Sequence, residues 1–129
     1  MLASSGVQAA RLDVVVGNIR SGKGHIRVAI CSPETFLKET CQWHGQGKAA
    51  PGEVTVTVTL DVPSGTWAAQ AYQDENDVGK ITRNFFGLPT VGIGFSNDAP
   101  FRFGPPSFAD AAFRLGAGSG RIRLNLRYF

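Results

Sequence analysis

The stretch Asp74-Glu75-Asn76-Asp77-Val78-Gly79-Lys80 carries the residue types of a cation site. A calcium loop begins with oxygen-bearing side chains at alternate positions and then a glycine, because several oxygens must converge on one hard cation while the backbone turns sharply. Asp74, Asn76 and Gly79 stand at the first, third and sixth positions of such a loop. Val78 takes the fifth position and has no side-chain oxygen to give. Phe85 stands where a bidentate Glu would close the loop, and Thr82 and Asn84 offer only neutral oxygens. The segment therefore reads first as an acidic solvated turn, with calcium at Asp74 and Asn76 as the sharper alternative.

Other chemistry-bearing residues are sparse. His25 and His44 are the two histidines, and the ten acidic residues are dispersed. No nucleophile elbow, zinc-protease helix or phosphate loop is present, so no catalytic residue is assigned. Cys31 and Cys41 fit the spacing of neither a redox pair nor a zinc site. A disulfide between them is the expectation for an exported chain. The net charge of +3 and pI of about 9.2 come without any block of Lys or Arg, so nucleic acid is not expected as a partner. Arg121, Arg123 and Arg127 with Arg11 and Arg27 read as solvent-facing strand positions rather than as a basic stripe.

Aromatic residues are concentrated instead. The segment from Asp74 to Phe113 holds seven of the nine Phe and four of the seven Pro. Its middle, NFFGLPTVGIGFSNDAPFRFGPPSF, is too apolar to stay solvated. It reads either as a second small core beneath a long crossover at 84–108, or as an aromatic ligand site. On the second reading Trp67, Phe85, Phe86, Phe95, Phe101 and Phe103 line it.

The elements that must position these residues are strands. Leu12, Val14 and Val16 alternate with more polar neighbours, as do Ile26, Val28 and Ile30. With the turn NIRSGKG between them, the two segments predict a hairpin or neighbouring strands. Val54, Val56, Val58 and Leu60 alternate with Glu and Thr, and Trp67, Ala69 and Ala71 share one face of the next strand. Ile122, Leu124, Leu126 and Tyr128 alternate with Arg and Asn in the last. A further strand is expected within 107–115. Ser32-Pro33 is a helix-start signal, so one short helix is expected near 33–39, and 42–52 reads as a loop. The pattern predicts an all-β fold, a two-sheet antiparallel sandwich of about seven strands. A closed barrel is the alternative. Residues 1–10 read as a flexible segment, with Val7-Gln8-Ala9 like the end of a signal peptide, and 11–129 as one domain. No run of about 20 apolar residues suggests a membrane span.

Taken together, the segments LDVVVGNIRSGKGHIRVAI, PSGTWAAQAYQDEN, NFFGLPTVGIGFSN and RFGPPSFADAAF resemble the bacterial domain-of-unknown-function family 2141. The resemblance covers about residues 11–128. It implies an exported protein, periplasmic or secreted, with an immunoglobulin-like or transthyretin-like sandwich and no established activity. The family's turn usually reads HDENGNGKLD. Here Gln73, Val78 and Thr82 replace its His, Asn and second Asp, which weakens a metal site. The expected function is a non-catalytic binding module holding an apolar small ligand or a protein partner at the aromatic loop. The alternatives are an assembly role in the cell envelope, with contacts at sandwich edges or the Trp43–His44 loop, and a hydrolase of transthyretin-like type built on His25 or His44.

Overall fold

A computed structural model describes residues 10–62, 64–116 and 118–129. It contains eight strands: β1 (Ala10–Ile19), β2 (His25–Cys31), β3 (Trp43–Lys48), β4 (Gly52–Leu60), β5 (Gly65–Asp74), β6 (Ile93–Phe95), β7 (Ala112–Leu115) and β8 (Ser119–Asn125). A single 3-10 turn (Ser96–Asp98) follows β6, and one helical turn, α1 (Phe108–Ala111), precedes β7. The smaller sheet has the order β4-β1-β8. The larger has the order β3-β2-β5-β6, with β7 paired to the first half of β5. The expected sandwich is therefore present.

Alternation in the sequence explains the core. Leu12 sits opposite Val58, Val14 opposite both Val56 and Ile122, and Val16 opposite both Val54 and Leu124. These side chains meet Ile26, Val28, Ile30, Ala69 and Ala71 from the facing sheet. Burying each large aliphatic group contributes roughly 1.5–3 kcal/mol. Among the described residues the pairings are antiparallel except that of β1 with β8, which is parallel. Past β8 the chain crosses to the other sheet, where Ile93 and Arg127 exchange backbone hydrogen bonds of 3.0 and 2.7 Å. One side of the sandwich is stitched in this way.

Four local expectations change. β1 and β2 lie in different sheets rather than in one hairpin, because the 18–24 turn carries the chain from one layer to the other. Residues 42–52 contain a strand, β3. Residues 33–39 form consecutive hydrogen-bonded turns instead of a helix: Ser32 O accepts from Thr35 N and Phe36 N, and Leu37 then turns left-handed at φ 70°. The 84–108 crossover is interrupted by β6 and its 3-10 turn, and 107–115 divides into α1 and β7. Of the segment 1–10, residues 1–9 lie outside the described residues, and Ala10 opens β1.

A second, smaller core lies on the outer face of the larger sheet. Cys31 and Cys41 are bonded to each other there, beside Phe36, Ala68, Ile93, Phe95 and Ala111. Phe36 stands edge-on to Phe95 and Phe108, with centroids 5.7 and 6.0 Å away. By loop entropy the disulfide stabilises the fold by about 2–3 kcal/mol.

Candidate functional site

Strand alternation puts a second set of side chains on the outside of the larger sheet. β2 presents Arg27 and Ala29, β3 presents His44 and Gln46, and β5 presents Gln70 and Tyr72. Beside the small core these form the floor of a groove of about 980 Å³. One wall is the disulfide-bonded loop with Leu37, Lys38 and Glu39. The other is made by Val78, Lys80, Ile81 and Arg83, with Phe95, Phe101 and Pro105 beyond them. Gln70 fixes the first wall, accepting from Leu37 N at 2.8 Å and donating to Lys38 O at 3.2 Å.

The second wall is fixed by Asp74. Its side chain is 2% exposed and accepts three hydrogen bonds: from Val78 N at 2.9 Å, from Gly79 N at 2.7 Å and from Arg27 Nε at 2.7 Å. Burial pushes the Asp74 carboxyl up, but the bonds from Arg27, Gly79 and Val78 together outweigh it and hold the group below its ordinary 3.8. Asp74 thus takes a protein cation and two amides as its partners. Asn76 is exposed on the turn, and among the described residues no group of three or more His, Cys, Asp or Glu gathers to hold a metal. Arg27 also bonds Gln46, and Asp77 lies 3.5 Å from Arg27 and 2.6 Å from the His25 ring. Burial, reinforced by the Asp74 charge, pushes the Tyr72 phenol above its ordinary 10.0 despite Arg27. At neutral pH its hydroxyl is therefore an uncharged hydrogen-bonding group in the groove floor.

The six aromatic residues expected to line one site are divided among three environments. Trp67 points to the inner side of its sheet and packs edge-on against Trp43, with centroids 4.9 Å apart, so it faces away from the groove. Phe95 and Phe101 do line the groove; Phe95 is part of the small core, and Phe101 packs 5.9 Å from it and 4.8 Å from Phe129. Phe85, Phe86 and Phe103 are 96%, 82% and 114% exposed. Arg27 lies on the other sheet from Arg11, Arg121 and Arg123, so these residues form no continuous stripe. His44 faces the groove, while His25 pairs with Asp77 at the far end of the β2–β3 ladder, four register positions away.

Sequence reasoning missed Ala29, Gln46, Gln70 and Tyr72. The signal present was their period-two placement opposite the core positions of β2, β3 and β5, which reads as an ordinary solvated face. No helix among the described residues is long and apolar enough to cross a membrane. The family model described as "Uncharacterized protein conserved in bacteria" (DUF2141) matches residues 14–123. No curated protein and no solved structure matches.

Proposed function

The chain belongs to the DUF2141 family of bacterial proteins, and from that premise we propose that it is a non-catalytic binding module whose site is the groove on the larger sheet. One observation carries the reading. The groove joins a floor of hydrogen-bonding groups (Gln46, Gln70, Tyr72) to apolar walls (Leu37, Ile81, Phe95, Phe101) and a rim bearing Lys38, Lys80 and Arg83 against Glu39 alone. Its volume suits a small molecule, and such sites are mostly apolar with a few placed polar groups. The chemistry it fits is an apolar ligand with an anionic head. The expected aromatic loop contributes Phe95 and Phe101 to this site, while its other Phe residues lie elsewhere. The Cys31–Cys41 bond supports an exported location, periplasmic or secreted, because disulfides persist in oxidising compartments.

Anilinonaphthalene sulfonate has the required chemistry and is the probe for a test. Ala29 is a small, half-buried groove residue, and Ala29→Trp places a bulky ring across the floor without touching the inner core. The folded wild type is expected to bind the probe at one site, with affinity falling at least about tenfold, or ~1.4 kcal/mol, in Ala29→Trp. Phe103→Ala, on a fully exposed side chain, is expected to leave it unchanged. Binding insensitive to Ala29→Trp but abolished by Phe103→Ala would move the site to the loop tips.

A further inference from the structure

Beside the groove, two loop tips hold aromatic side chains out in solvent. At the first, Phe85 and Phe86 are 96% and 82% exposed and Leu88 is 45% exposed. Water does not favour this arrangement, and the backbone enforces it. Asn84 N donates to Leu88 O at 2.8 Å, and Gly87 N donates to Asn84 O at 2.9 Å. The Asn84 side-chain oxygen accepts from Phe86 N at 2.8 Å and Leu88 N at 3.1 Å, and Arg83 caps Gly87 O. The turn therefore meets most of its own polar demand and presents its apolar side chains outward. At the second tip Phe103 is 114% exposed and adopts a left-handed φ of 53°, a strained conformation for an aromatic residue.

We propose that these two tips dock the protein onto an anionic lipid surface, with Phe85, Phe86 and Phe103 entering the headgroup region. Three features select a bilayer over a protein. An apolar tip enters the headgroup region more readily when its backbone is largely hydrogen-bonded already, as at 84–88, where Asn84, Gly87 and Leu88 pair both their backbone groups and Phe86 pairs its N–H. Phe is among the apolar side chains that surface-bound proteins bury at the boundary between headgroups and acyl chains. Charge is complementary: between residues 78 and 106 the basic residues are Lys80, Arg83 and Arg102, and the single acid, Asp98, bonds inward to Asn125 N at 2.8 Å. Basic residues beside inserted apolar groups supply the second attraction that stable peripheral binding needs.

Co-sedimentation with vesicles tests this surface independently of the groove. The full chain is expected to pellet with phosphatidylglycerol/phosphatidylethanolamine vesicles and weakly with phosphatidylcholine. Phe85→Ser combined with Phe86→Ser is expected to lower the partition coefficient roughly tenfold or more with the melting temperature retained, and Ala29→Trp is expected to leave it unchanged. Failure of the wild type to pellet, or equal pelleting of the double variant, overturns the proposal. Light scattering showing a dimer that the double variant dissolves overturns it in favour of a second copy of the chain.

Discussion

Gly24→Ala is expected to lower stability by about 3–5 kcal/mol, because a new Cβ meets backbone that cannot move aside. A Cβ at Gly24 would lie 1.8 Å from Asp74 O and 2.8 Å from Asp74 C, and Gly24 itself has φ 68°. The clash falls where β2 begins against the end of β5, at the His25–Asp74 pair. The neighbouring turn is tightly tied. Gln73 is wholly buried and donates to Ser21 O and Lys23 O at 2.9 and 3.0 Å, and Arg20 pairs with Glu75 at 2.6 Å. Relief would require separating these strands, which also displaces Asp74 from Arg27. Gly52→Ala provides the contrast: φ there is 93°, but nothing lies within 4 Å of the new Cβ. Only backbone strain of about 1–2 kcal/mol is expected in that case. Urea melts followed by circular dichroism separate the two effects, and equal losses would contradict the close approach at Gly24.

The second large effect is expected at Asp74. Asp74→Ala leaves Arg27 without its buried partner and two turn amides without their acceptor, a loss of about 3–5 kcal/mol. Asp74→Asn keeps one carbonyl oxygen for the turn and should lose less. The pH dependence has a definite sign. The Arg20 hydrogen bond lowers Glu75 from its ordinary 4.5, against the opposing effect of burial, and Asp74 lies below 3.8. Carboxyls with lowered folded values contribute stability that is complete above their ordinary values and disappears as pH falls through the folded ones. Wild-type stability should therefore drop as pH falls from 4.5, and the slope should be shallower in Asp74→Ala. An unchanged slope in that variant would show that Asp74 does not titrate as a paired group.

The strands carrying β-branched or large aliphatic residues at alternate positions, β1, β2, β4 and β8, were legible in the sequence, as was the Trp67-Ala69-Ala71 face of β5. β3 was not, because two of its three inward positions are glycine, Gly45 and Gly47, and Trp43 alone gives no alternation. A Cβ at Gly45 would come within 2.8 Å of Thr57 O, so β3 lies too close to β4 for a side chain, and its hydrophobic signature is missing. β6 was hidden by the same cause: a Cβ at Gly94 would come within 2.5 Å of Asn125 O. The groove escaped detection for a different reason. Arg27, Gln46, Gln70 and Tyr72 come from three strands that are adjacent only after folding, and each reads singly as a solvent-facing residue. Phe-rich composition marked the segment that brings Phe95 and Phe101 to the groove but carried no information on which rings turn inward. Backbone turns at Asn84 and Phe103 decide that, and they hold Phe85, Phe86 and Phe103 in solvent.

The proposed function assigns ligand chemistry to the outer face of the larger sheet. Its most direct test is an amide chemical-shift titration of the full chain with anilinonaphthalene sulfonate. Perturbations are expected to centre on Arg27–Ala29, His44–Gln46 and Gln70–Tyr72 and to extend to Ile81 and Phe101 on the walls. Perturbations confined to Phe85, Phe86 and Phe103, or none at saturating probe, would contradict it.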